Sequence, residues 1–197
     1  WMALMTVHQV LSYLHYTGTT LEYPHLLGVI MPWPLLHGPF LFLYVTAMTR
    51  EKPLKWTEIL PHFIPFVFLY LLAIPFYLLS AAEKTEVFNN KGAGYEWYNL
   101  TQQAMIIIIG LGYIFWCLIR IHRHRTKIKQ WFSNTDKITL RWLEYLSIGL
   151  GIIWLLVLFF DDHIVFSGVV LLVIFIGMFG ITQLPVFYAH REILDTT

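Results

Sequence analysis

Charge is scarce in this chain, and cysteine is almost absent. Only 13% of the residues are Asp, Glu, Lys or Arg, 57% are hydrophobic, and the mean hydropathy is +0.62. Too few polar groups remain to cover a soluble domain of this length, which leaves a membrane protein. Cys117, the single cysteine, lies in an apolar run and excludes an internal disulfide. A formal net charge of +1 excludes a global field directed at nucleic acid. Catalytic signatures are missing too: there is no Walker loop, GxSxG elbow, dinucleotide fingerprint, HExxH zinc helix, or HxxxH or HxxHH di-iron pattern. His122 and His124 are two apart, so on a helix they point about 200° away from each other and cannot share one metal. Asp161-Asp162-His163 offers ligands for a cation but reads preferentially as a polar turn. No enzyme activity, cofactor or metal is expected. The chain opens on Trp1 with no basic leader or cleavage site, so it reads as the interior of a longer protein.

What is abundant is uncharged apolar sequence in lengths close to the ~20 residues that cross a bilayer as helix. Five such runs are clear, at 26–48, 59–80, 100–119, 143–160 and 164–188. A shorter one at 1–16, carrying His8, Gln9 and His15, is assigned as a sixth span by its position. The expected fold is all-α, a polytopic membrane bundle of six helices in a single domain over 1–197, with a cytoplasmic helical hairpin at about 120–142. Orientation follows from the basic residues. With the carboxyl end inside, eleven of the 13 Lys and Arg are cytoplasmic and only Lys84 and Lys91 lie outside, as the positive-inside rule requires. Trp56, Trp97, Tyr98, Trp131 and Trp142 fall near span ends, where amphipathic rings favour the interface. The expected location is the bacterial inner membrane, multi-pass, with a cytoplasmic carboxyl terminus.

Pro32, Pro34 and Pro39 interrupt the second run, and Pro65 and Pro75 the third; each removes a backbone donor. The freed carbonyls then need partners from neighbouring helices, and kinked helices open pockets. Gly110 and Gly112, Gly149 and Gly151, and Gly177 and Gly180 read as packing positions. Residues 120–129 contain no helix breaker, and Ser133-Asn134-Thr135-Asp136 has the form of a capping box that restarts a helix. The resulting basic hairpin either relays motion, grips anionic lipid, or merely fixes topology.

Polar residues inside apolar runs are functional candidates because leaving them in lipid is costly, although interhelical hydrogen bonds satisfy many of them. His8, Ser12 and His15 share one helical face by their spacing of four and three. With His37, Tyr44 and His62 they form the expected ligand pocket, between the first three spans and open toward the outer half. Gln183 and Pro185, near the inner end of the last span, form either a hinge or simply the point where the helix leaves the membrane.

The order of Leu36-His37-Gly38-Pro39-Phe40-Leu41-Phe42-Leu43-Tyr44, His62-Phe63-Ile64-Pro65, Trp131-Phe132-Ser133-Asn134 with Leu140-Arg141-Trp142-Leu143, and Gly177-Met178-Phe179-Gly180-Ile181-Thr182-Gln183-Leu184-Pro185-Val186-Phe187 resembles the membrane sensory domain of Bacteroidetes-type AraC-family transcriptional regulators. The likeness runs through nearly the whole chain. In that family a bundle of about seven membrane helices precedes a cytoplasmic helix-turn-helix domain. The family's first helix has no counterpart here, and the sequence stops at Thr197, where the DNA-binding domain would begin. The resemblance implies an input module in which a ligand or membrane signal shifts the bundle between two packings. Ser133, Trp142, Gln183 and Pro185 are the expected relay residues. The expected partners are membrane lipid and a small-molecule or lipid ligand, with DNA reached only through the domain outside this chain; a homodimer is an open alternative. The rival class is a small transporter or channel-like protein. It would call for matching discontinuous helices in two halves, and the prolines of 26–80 and 143–188 do not correspond.

Overall fold

The computed structural model of the chain describes residues 1–50, 52–131, 141–160 and 163–178. These residues are helical, with no strand among them. They fall into two compact units, Trp1–Thr139 and Leu140–Thr197, where the sequence reads as one domain over 1–197.

The first unit begins with α1, Met2–Tyr16, followed by two short 3-10 turns, Thr19–Glu22 and Pro24–Leu26. The second apolar run is not one helix. Helix α2 spans Pro34–Thr49, and the residues from Leu27 to Trp33 are a chain of turns. Pro34 explains the boundary: its fixed φ suits the first helical turn, where its missing N–H costs nothing. Helix α2 is buried around most of its circumference, from Leu35 through Pro39 and on to Leu41, Phe42, Val45 and Thr46. An all-round apolar helix is stable only in such a central position.

The third run is likewise divided. Helix α3, Trp56–Ile59, passes through a 3-10 turn at Leu60–Phe63 into α4, Ile64–Leu72, and then α5, Ile74–Tyr77. Pro61, Pro65 and Pro75 each occupy a first-turn position, so each proline opens a segment rather than kinking a continuous span. Beyond them lies α6, Ala81–Asn89, in the stretch between the third and fourth apolar runs. Its start is a capping box: Ser80 N donates to Glu83 Oε2 at 2.8 Å, and Glu83 N donates to Ser80 Oγ at 3.4 Å.

Helix α7, Glu96–Trp131, is the long element of this unit. Tyr98, Ile106, Ile114, Cys117 and Ile121 form its buried stripe at helical spacing. Leu100, Ile108 and Phe115 lie on another face and are 70%, 71% and 67% exposed. Helix α2 packs along α7 and comes close to it at Gly38, where an added Cβ would sit 2.9 Å from Tyr113 Cδ2.

The second unit contains α8, Arg141–Phe159, and a further helix α9, His163–Met178. They run antiparallel and touch through small residues. A Cβ on Gly149 would lie 3.0 Å from Leu172, and one on Gly168 would lie 3.2 Å from Leu156. Helix α8 and the segment Glu96–Lys127 of α7 are long and apolar enough to cross a membrane. Helices Pro34–Thr49, Trp56–Leu72 and His163–Met178 are apolar but shorter.

Candidate functional site

The turns between Leu27 and Trp33 expose backbone carbonyls that no helix satisfies, and long-range side chains meet three of them. Tyr77 Oη donates to the Gly28 carbonyl at 3.1 Å, Tyr70 Oη to the Val29 carbonyl at 2.6 Å, and Gln102 Nε2 to the Met31 carbonyl at 2.8 Å. Trp33 Nε1 in turn donates to Tyr70 Oη at 3.0 Å. Non-helical backbone within an apolar bundle is stable only when it is paired in this way. Gly28 is fixed twice over, by a φ of +79° and by Phe76 Cε1, which would lie 2.9 Å from any Cβ.

This braced segment forms one wall of a cavity of about 290 Å³. The other walls are Phe76 and Tyr77 of α5, Val87 and Phe88 of α6, the turn through Lys91 and Gly92, and Tyr95, Tyr98 and Asn99 at the start of α7. Its lining is mostly aromatic and aliphatic, the usual character of a small-molecule site. Among the described residues Tyr98 Oη, at this wall, is buried without a hydrogen-bond partner.

No family model, curated protein or solved structure matches this chain. The site therefore has to be read from its own geometry.

None of the six expected pocket residues lines that cavity. His8 and His37 meet directly, Nδ1 to Nε2 at 2.8 Å, with rings stacked 5.1 Å apart. Trp1 Nε1 donates to His37 Nδ1 at 3.4 Å. An indole N–H can only donate, so His37 carries its proton on Nε2 and gives it to His8 Nδ1. His62 Nδ1 is 2.7 Å from Tyr113 Oη, amid Phe42 and Trp116. His15 packs edge-on against Phe88, Ser12 is half-buried in α1, and Tyr44 lies in α2. Polar residues in apolar runs were a signal for interhelical bonds here, while the cavity is marked by residues that look like ordinary core aromatics. The one cue to its position was Ser80-Ala81-Ala82-Glu83, which starts the helix that closes it.

Trp142 is the second residue of α8. Ser133, Gln183 and Pro185, the other expected relay residues, lie outside the described residues, as do Asp161 and Asp162. Among the described residues, no group of three His, Cys, Asp or Glu is placed to hold a metal ion.

At the other end of α7 a second concavity, of about 230 Å³, is lined by Thr49, Trp116, Ile119, Arg120, Arg123, His124 and Lys127. Arg120 Nε donates to Thr49 Oγ1 at 2.9 Å, which ties its guanidinium to the end of α2. None of the lining residues is acidic. Burial, with the Lys127 and Arg120 cations beside it, holds the His124 imidazole below the ordinary histidine range.

Proposed function

We propose that this chain is a polytopic helical domain of the bacterial inner membrane, carboxyl end in the cytoplasm, and that it serves as the input module of a transcriptional regulator. A small, largely apolar molecule or lipid fragment occupies the cavity beside Gly28, Phe76, Val87 and Tyr98, and its binding biases the bundle that leads to a cytoplasmic helix-turn-helix domain.

The observation that carries membrane embedding is the outer face of α7. Residues 100–119 contain no Asp, Glu, Lys or Arg, and the exposed Leu100, Ile108 and Phe115 follow one another along the helix. Twenty residues of helix extend about 30 Å, the thickness of the hydrocarbon layer. Left in water, such a stripe would cost about 25 cal/mol for each Å² of apolar surface; facing lipid, it costs nothing. The paired carbonyls of Gly28, Val29 and Met31 support the same reading, since hydrocarbon offers no water to replace them. The regulatory role rests on the resemblance to AraC-type sensory domains, and the ligand on the apolar cavity.

Two outcomes are expected. With cysteine introduced at Lys91 or at Lys127, an impermeant maleimide applied to intact cells labels the first and spares the second; the reverse pattern would reject the orientation. In the intact regulator, Val87→Trp fills the cavity and abolishes the transcriptional response to the inducing condition at unchanged protein level. A normal response, read by a reporter alongside a membrane-fraction immunoblot, rejects this cavity as the ligand site.

A further inference from the structure

We propose that the concavity between the end of α2 and the lower part of α7 is a binding site for a phosphate-bearing anion, held by Arg120, Arg123, Lys127 and His124 with Trp116 as its apolar floor.

Four observations converge on this. Arg120, Arg123, His124 and Lys127 stand at spacings of three, one and three, so three cations and one imidazole recur along one side of α7 and reach a single hollow rather than spreading around the helix. Arg120 is not free to swing away, because Thr49 Oγ1 accepts from its Nε; the remaining guanidinium nitrogens stay available as a planar fork for two oxygens of one phosphate. Among the described residues no carboxylate lines the hollow, and Glu58 is taken by Arg50, whose Nη1 donates to Glu58 Oε1 at 2.8 Å. Like charges gathered this closely repel one another unless an anion joins them. Trp116 and Ile119 lie one turn toward the apolar stretch, so the hollow has a charged mouth and a greasy floor, the form expected where a phosphate carries hydrocarbon.

The shared chemistry is the phosphate group, and its source is either an anionic lipid headgroup or free phosphate. The site is separate from the proposed ligand cavity, which shares none of its residues, so either assignment stands or falls without the other.

The test uses the full chain purified in neutral detergent and titrated with dioleoylphosphatidylglycerol, dioleoylphosphatidylcholine or inorganic phosphate, with bound species counted by native mass spectrometry. One phosphatidylglycerol is expected to be retained at concentrations where phosphatidylcholine is not. Arg123→Gln combined with Lys127→Gln should weaken that retention about tenfold to thirtyfold, at roughly 1 kcal/mol for each basic group removed. Arg123→Lys should keep most of the affinity. Arg123 and Lys127 are exposed, so the fold should survive their loss, and circular dichroism checks this. Added salt should weaken binding to the unaltered chain, a measurement that needs no variant. If millimolar inorganic phosphate displaces the lipid, the site takes free phosphate; if it does not, the site is a lipid site. Equal retention of phosphatidylglycerol and phosphatidylcholine, or undiminished binding by the folded double variant, would overturn the proposal.

Discussion

Gly38→Val is expected to destabilise the first unit by about 1–3 kcal/mol, the usual cost of forcing methyl groups into a packed core. The first added atom alone would lie 2.9, 3.1 and 3.2 Å from Tyr113 Cδ2, Cβ and Cγ. Those atoms include the base of the ring, so Tyr113 cannot swing aside without moving the α7 backbone. Tyr113 also holds His62 through its hydroxyl at 2.7 Å, and displacing it should strain that bond too. Gly112→Ala is the matched control, because nothing lies within 4 Å of the position where its Cβ would be built. Unfolding in mixed micelles, followed by circular dichroism, should separate the two. Equal midpoints for Gly38→Val and Gly112→Ala would mean that α2 and α7 do not approach at Gly38 as described.

Gln102→Leu is expected to cost about 1–3 kcal/mol, the penalty of leaving a buried carbonyl without a donor. The Met31 carbonyl lies in a turn, so no helical N–H can take over. Leucine approximates the volume of glutamine, which keeps the loss attributable to the bond rather than to a void. Tyr70→Phe should be at least as costly, because that hydroxyl both donates to the Val29 carbonyl and accepts from Trp33. Tyr77→Phe, removing a single bond of 3.1 Å, should be the mildest. The three substitutions brace one segment, so the double variant Gln102→Leu with Tyr70→Phe should depart from additivity. Denaturant unfolding of the purified chain gives all these values, and a set of variants indistinguishable from the parent would remove the bracing role.

Much of the secondary structure is legible because hydrocarbon-like sequence leaves the backbone few choices. The uncharged run 100–119 lies within α7, and 143–160 coincides nearly with α8. The runs 26–48 and 59–80 were misleading for one reason: hydropathy counts apolar residues and is blind to proline's missing N–H. At Pro34, Pro65 and Pro75 a new helical segment begins, and the sequence contained that cue in the known tolerance of proline in a first helical turn. The histidines are less legible for a different reason. A polar group in an apolar run must be paired, yet nothing in its spacing says whether the partner is a ligand or another side chain. For His8 and His37 the partner was each other, and for His62 it was Tyr113.

The sequence by itself determined the all-helical class, the concentration of basic residues after 119, and the aliphatic run that makes α7 long and apolar enough to cross a membrane, because these depend on composition and local backbone hydrogen bonding alone. Only the tertiary structure decided where the non-helical segment between Leu27 and Trp33 is tolerated and where the cavity lies. The donors that satisfy the Val29 and Met31 carbonyls, and the second donor to the Gly28 carbonyl beside Met31 N, stand 41, 71 and 49 residues away along the chain, so no local pattern could announce them. The cavity walls likewise come from the turns before α2, from α5, α6 and the start of α7. Each wall is an unremarkable apolar stretch alone, and they enclose a space only once long-range packing has set the distances between them.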